Sequence, residues 1–221
     1  MVGMPAHRDI PIPTVISLMA TVDMMKNKGI PFELQLQVNG SIIEWARSKV
    51  VDVFVNECDK NRLFWIDSDI SWKPEDFMRL LALSTKYPVV GAVYPAKQEE
   101  IIFYIQTDGD VLESNEDGLL SIRGLGLGFT VVHRHVIEKL HAKAPELKMP
   151  YGKTMRHMFR CDSENGEFRG EDMAFFSDVK ALGYPVLIDP TVVLGHVGPK
   201  VYTASFHDLL IKEQEKANGP S

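Results

Sequence analysis

The stretch that most constrains this chain is Arg62-Leu63-Phe64-Trp65-Ile66-Asp67-Ser68-Asp69. Four apolar residues run directly into two carboxylates spaced i, i+2. A short apolar run bounded by polar residues reads as a central strand, buried on both faces of an α/β sheet. Side chains alternate along a strand, so Asp67 and Asp69 reach the same side. They stand at the strand's carboxyl end, where open α/β sheets bind their ligands. Lys73-Pro74-Glu75-Asp76 follows at once, with proline and first-turn acids marking a helix start. Two carboxylates held this way suit a hard divalent cation carrying phosphates, although Asp-x-Asp alone is unspecific.

The 221 residues can bury one sizeable core, and no linker divides them, so a single domain is expected over 1–221. The net charge of −6, without a basic run, argues against a nucleic-acid polymer as partner. Cys58 and Cys161 are far apart and outside any C-x-x-C pattern, which reads as free thiols in a reducing compartment. No apolar stretch approaches 18 residues and no signal-peptide pattern opens the chain, so a cytoplasmic protein without a membrane span is expected.

Taken in order, Met1 to Met4 read as the end of a first strand. Pro13-Thr14 starts a helix whose apolar positions Val15, Leu18, Met19, Val22 and Met25 follow helical spacing, with Gly29 at the C′ position. Phe32 to Val38 alternates as a strand, and Asn39-Gly40-Ser41 turns the chain into a helix over about 42–57. After the acidic strand come a helix carrying Phe77, Leu80 and Leu81 and a buried strand, Val89 to Val93, entering Tyr94-Pro95-Ala96-Lys97. This alternation predicts a mostly parallel sheet with crossover helices. The later half reads as short strands at 101–106 and 119–122, a glycine-rich run into a strand at 130–133, and a helix at 134–141. Residues 143–169 look irregular, and a loop of that length suggests a lid over an acceptor, with Tyr151, His157 and Phe159 in it. Gly170-Glu171-Asp172 opens a helix to about Leu182; strands follow at 186–188 and 192–194, the second reaching Gly195-His196. Lys212 to Ser221 is polar and finishes Asn-Gly-Pro-Ser, so the last residues read as a fraying end.

Beside the acidic strand end, three features stand out: Glu171-Asp172 at a helix start, His196 at a strand end, and Gly124-Leu125-Gly126-Leu127-Gly128. Each is weak alone; together, and in this order, they are more specific. With Val2 to Ala6, Asn39-Gly40-Ser41, Ala46-Arg47 and Val90 to Lys97, the chain resembles the GT-A glycosyltransferases, in particular the family 2-like soluble bacterial and phage enzymes. The resemblance spans nearly the whole chain. It implies a single-domain GT-A fold: Rossmann-like, a mostly parallel central sheet with flanking helices and a small antiparallel part. Residues 1–97 would form the nucleotide-binding half, 98–204 the acceptor half, and 205–221 a C-terminal helix and tail.

The resemblance further implies transfer of one sugar from a UDP- or GDP-linked nucleotide diphosphosugar to a saccharide or other hydroxyl acceptor. Mn²⁺ or Mg²⁺ would neutralise the departing diphosphate. Asp69 and His196 would be direct metal ligands, with Asp67 nearer the ribose or a metal-bound water. Asp172 would be the general base, assisted by Glu171, making the reaction inverting. Pro5, Ala6 and Asn39 would meet the nucleoside, and Arg47 and Lys97 the diphosphate. Gly126 and Gly128 would let the backbone approach the donor sugar. Asn39 departs from the family, where Asp is common, and the Q-x-x-R-W motif of processive synthases is absent, favouring a non-processive enzyme. Trp72 is a candidate sugar platform and Trp65 a core residue. Two rivals are a nucleotidyltransferase, disfavoured because no glycine-rich basic signature follows the first strand, and a sugar-nucleotide-binding protein without catalysis.

Overall fold

The computed structural model describes residues 1–38, 40–109, 112–149, 152, 154–164 and 166–218. Asn39 and Tyr151, two residues singled out above, lie outside that set. The first half alternates strands and helices: β1 (Val2–Ala6), α1 (Ile12–Asn27), β2 (Leu34–Val38), α2 (Ile43–Asn56), β3 (Arg62–Ile66), β4 (Ile70–Ser71), α3 (Pro74–Leu83) and β5 (Val89–Gly91). Then come β6 (Ile105–Gln106), β7 (Leu120–Ile122), β8 (Gly124–Leu125), β9 (Phe129–His133), α4 (Arg134–Lys143), β10 (Glu146–Lys148), β11 (Thr154–Arg156), β12 (Asp162–Glu164) and β13 (Glu167–Arg169). The chain closes with α5 (Glu171–Ala181), β14 (Val186–Ile188), β15 (Gly195–Val197), β16 (Val201–Thr203) and α6 (Phe206–Asn218).

Seven strands form the main sheet in the order β2-β1-β3-β9-β5-β14-β7. β1 pairs in parallel with β2 and β3, and β5 with β14. β9 runs antiparallel between β3 and β5, and β7 closes one edge antiparallel to β14. Five of the seven strands thus share one direction, the mostly parallel α/β sheet expected, but its middle is antiparallel.

The apolar run of β3 behaves as its composition demands. Leu63 and Trp65 join one core with Val50, Phe54, Phe159, Phe175 and Phe176, which draws on α2 and α5. Phe64 and Ile66 face the other way, into a core with Met4, Phe77, Leu80 and Phe129. Helices therefore cover both faces of the sheet. Each of these large side chains gains roughly 1.5–3 kcal/mol by leaving water, so β3 is anchored from both sides and its carboxyl end is held still.

Five expectations are corrected. α1 turns Thr14, Ser17, Thr21 and Met25 inward, while Met19 and Val22 are exposed and Val15 and Leu18 are half-buried. Two of the buried hydroxyls are satisfied: Trp72 N–H donates to Ser17 Oγ at 3.0 Å and Trp72 Nε1–H to Thr21 Oγ1 at 2.8 Å. Trp72 is thereby buried against α1 and cannot serve as a sugar platform; Trp65 is core, as read. In β2, Leu36 and Val38 stay exposed because the strand is the sheet's edge. The stretch 143–169 is not an irregular lid: it holds two antiparallel hairpins, β10–β11 and β12–β13, and Phe159 packs in the core. Residues 192–194 are not a strand; pairing begins at Gly195. Gly29 does sit after α1 at φ +66, the left-handed conformation a C′ glycine supplies.

The Trp72 bond has a measurable consequence. Trp72→Phe keeps most of the buried ring but removes its hydrogen bond to Thr21, and should cost about 1 kcal/mol in urea unfolding.

Candidate active site

The candidate residues converge beyond the carboxyl ends of β1 and β3. Asp67 continues β3 by donating its N–H to Gly128 O at 3.0 Å. Three residues on, β4 pairs antiparallel with β15, setting His196 opposite Ile70. Val197 N–H also donates to Asp69 O at 2.7 Å. This small sheet explains how a histidine more than a hundred residues away comes to stand beside Asp69. Glu171 and Asp172 occupy the first turn of α5, where the unpaired N–H groups favour negative charge. Pro5, Ala6, Arg47, Asp67, Asp69 and Asp172 share one open cleft of about 450 Å³, and His196 lines it too. A second hollow, of about 260 Å³, touches the cleft through Tyr94, Glu171 and Asp172 and extends to Tyr104 and Met173.

Arg47 is the centre of the charge arrangement. Its side chain is 3% exposed, and it meets three carboxylates: Asp67 Oδ1 at 3.2 Å, Asp172 Oδ1 at 3.2 Å and Glu171 Oε1 at 3.6 Å. The expected contact with a diphosphate is therefore revised, because the guanidinium is already committed beneath the acids. Burial disfavours its charge, but the three carboxylates more than offset this and its pKa is raised. One cation among three acids leaves an excess of negative charge. Accordingly, burial lifts the pKa of Asp67 despite Arg47, with Asp172 and Asp69 adding to the rise. Asp172 is pushed up to about 6, by burial first and by Glu171 beside it, against the pull of Arg47 and the Leu127 N–H. Asp67 Oδ1 and Asp172 Oδ1 are buried and accept no hydrogen bond among the described residues.

Asp69 is set apart from this cluster. Lys97 Nζ donates to Asp69 Oδ2 at 2.5 Å, and His196 Nε2 lies 3.6 Å from the same oxygen. Burial works against ionisation here, but His196 and Lys97 outweigh it and the pKa falls to about 2. His196 Nδ1 lies 2.9 Å from Pro95 O, a carbonyl that can only accept, so Nδ1 carries the proton. In the neutral ring the lone pair of Nε2 then faces Asp69 Oδ2. The pull of His196 on the Asp69 pKa belongs to the protonated ring, which points a donor at that oxygen; in the neutral ring the two atoms are acceptors 3.6 Å apart, near enough for both to ligate one ion at about 2.0–2.2 Å each. An excess of carboxylate charge and an oriented imidazole fit a divalent cation completed by phosphate oxygens and water. Among the described residues, another group with metal-ligand atoms close together is Glu33, Cys58 and Asp59. Lys60 already pairs with both of its acids, and it lies away from the cleft.

The comparisons with known proteins bear on this arrangement only through its scaffold. No protein-family model and no curated protein matches the chain. The crystal structure of A197 from STIV superposes with a TM-score of 0.58 at 20% identity, covering 89% of this chain and 84% of that one. The two share a fold. At that identity nothing about chemistry passes between them.

Two glycines have a different task from the one expected. A Cβ on Gly128 would lie 2.5 Å from Asp67 Oδ2 and 2.8 Å from the Tyr94 hydroxyl, and a Cβ on Gly126 would strike that same hydroxyl. Both glycines make room for Asp67 and Tyr94, side chains of the site itself. Tyr94 is the functional candidate that sequence reasoning missed. Its hydroxyl donates to Asp67 Oδ2 at 3.4 Å, its ring packs edge-on to His196 at 5.0 Å, and burial beside Asp67 and Asp172 drives its pKa well up. Its place just past a predicted strand end was the available signal.

Proposed function

We propose that this chain is a glycosyltransferase that moves one sugar from a nucleotide diphosphosugar to an acceptor hydroxyl, with inversion. The observation that carries the reading is the meeting of two unlike acidic centres in one cleft. Asp69 is held ionised, paired with Lys97 and 3.6 Å from His196 Nε2, while the Asp172 pKa is pushed up to about 6 although its buried Oδ1 lies 3.2 Å from the Arg47 guanidinium. Two carboxylates whose environments push their pKa values apart have separate tasks.

In this reading Asp69 and His196 hold a divalent cation, Mn²⁺ or Mg²⁺, which when bound supplies Lewis-acid stabilisation of the departing diphosphate. The chain's own residues do the rest. Pro5 and Ala6, at the end of β1, wall the nucleoside side of the cleft. Tyr94 and Arg47 fix Asp67, so that the carboxylate presents one edge to the donor. The acceptor enters from the hollow bordered by Tyr104 and Met173, and Asp172 takes its proton as the acceptor oxygen bonds to the anomeric carbon. The bond between that carbon and the diphosphate oxygen breaks, and its electron pair leaves with the diphosphate. A base of pKa about 6 is mostly deprotonated at neutral pH and still basic enough to accept a proton in flight.

The test is donor turnover. Purified protein incubated with UDP- and GDP-sugars and Mn²⁺ should release nucleoside diphosphate, slowly with water and faster with a suitable acceptor. Asp69→Ala should lower that rate by roughly 10²- to 10³-fold, the scale on which a lost electrostatic stabiliser acts. Release that is unchanged in Asp69→Ala would sink the metal assignment. Release of pyrophosphate from a nucleoside triphosphate and a sugar phosphate would instead establish a nucleotidyltransferase.

A further inference from the structure

The cation that Asp69 holds is Lys97. Its ammonium lies 2.5 Å from Asp69 Oδ2, the oxygen that also faces His196 Nε2. Lys97 therefore stands against the one atom best placed to bind a metal together with His196. The contact is built rather than incidental. Lys97 follows Pro95 and Ala96, and Pro95 O fixes the His196 tautomer, so both partners of Asp69 are positioned from one short segment. The lysine stem lies along Gly198, where an added Cβ would come within 3.3 Å of Lys97 Cδ. A bare backbone there lets the stem lie down toward Asp69. The neighbouring Lys200 is engaged by Glu99 at 2.7 Å, leaving Lys97 as the ammonium on Asp69 among the described residues.

An ammonium and a divalent cation cannot share one carboxylate oxygen at contact distance. At about 4 Å their mutual repulsion drives one of them off, even at an effective dielectric of about 20. Lysine is suited to exchange: it is a point charge on a flexible four-carbon stem, with no fixed fork to break. Both Lys97 and Asp69 are about one-third exposed, so the pair opens at modest cost.

We propose that Lys97 is the resident counter-cation of the metal site: it occupies Asp69 Oδ2 before the ion arrives, is displaced by it, and then turns to the donor's diphosphate. The inference rests on the glycosyltransferase reading above. It makes metal loading and donor capture one exchange, since the charge released from Asp69 is delivered to the phosphates that arrive with the ion.

The experiment is direct titration of Mn²⁺ by calorimetry into the wild-type chain and Lys97→Met, followed by UDP at saturating Mn²⁺. Removing the competitor should tighten Mn²⁺ binding roughly three- to tenfold, while UDP affinity at saturating Mn²⁺ should fall by about tenfold. Equal or weaker Mn²⁺ binding by Lys97→Met, with the wild type binding normally, overturns the exchange and leaves the metal site standing. Absence of Mn²⁺ binding in both proteins overturns the exchange and the metal reading together. UDP affinity unchanged by the substitution overturns the turn to the diphosphate.

A second measurement on the wild-type fold covers failure of the variant to fold. The ¹⁵N-ζ ammonium resonance of Lys97, assigned through Lys97→Arg, should shift when diamagnetic Mg²⁺ is added and again when UDP follows. A resonance that stays put under saturating Mg²⁺ overturns the proposal.

Discussion

Arg47→Met is expected to cost roughly 3–5 kcal/mol of folding stability near neutral pH, the range for breaking a buried ion pair by removing one partner. Methionine has similar length and fits among apolar neighbours, so lost packing is not the reason. The reason is that Asp67, Glu171 and Asp172 all face this one guanidinium, and without it three acids share a pocket with no cation of their own. The pH dependence separates this from a general packing defect. Removing Arg47 raises the folded-state pKa values of Asp67 and Asp172 further above their unfolded values. Such groups contribute stability at pH below the unfolded value, near 4, and lose it as pH rises through the folded value. The deficit relative to wild type should therefore be smallest near pH 4–5 and complete by about pH 8. Urea unfolding at both ends of that window checks it, and a deficit independent of pH would contradict the electrostatic account. Adding Asp172→Asn to Arg47→Met should restore part of the loss at pH 8, because one uncompensated charge goes.

Asp172→Asn alone is expected to lower acceptor-dependent turnover by about 10²- to 10⁴-fold, the usual contribution of a positioned general base. Donor binding should persist, because Asp67, Asp69 and His196 keep their places. In the wild type, the base must be deprotonated to act, so kcat should rise with pH through about 6 and level off above it. The same raised pKa means that folding is opposed by Asp172 at neutral pH, since its folded state holds a proton more tightly than the unfolded chain does. The variant should then be no less stable than wild type at pH 8, even though Arg47 loses one of three partners. Full activity in Asp172→Asn would remove the base assignment and return Glu171 to consideration.

The parts of this molecule that could be read from the sequence are those fixed by local pattern. Leu63 to Ile66 had to be a strand buried on both faces, and it is; the two trailing acids both reach the cleft, but from the turn after β3, which brings Ser68 to it as well. The turn at Gly29 and the acids opening α5 are equally local. What stayed hidden depends on what lies across from a residue. An arginine in a helix ordinarily faces solvent, and nothing in Ala46-Arg47-Ser48 says that all three are buried. Only the arrival of α5 from the other end of the chain makes that position a cation site. The inward face of α1 was misread for a similar reason. Ser17 and Thr21 look like a polar, outward stripe until the Trp72 donors are placed against them. The hairpins in 143–169 were missed because short strands of mixed polarity carry no period; Asp162 and Arg169, paired at 2.7 Å across β12–β13, supply the register that hydrophobicity does not.

The antiparallel strand at the middle of the sheet also sets the order in which the protein can assemble. β9 is the hydrogen-bonding neighbour of both β3 and β5, so neither can complete its pairing until residue 133 has been synthesised. Until then the chain offers two apolar strand edges with no partner, the condition under which nascent chains associate wrongly. The boundary at residue 97, natural when the chain is divided by ligand, therefore does not mark a unit that can fold by itself. The first half carries Asp67 and Asp69, and the second half supplies the strand that joins them to the rest of the sheet.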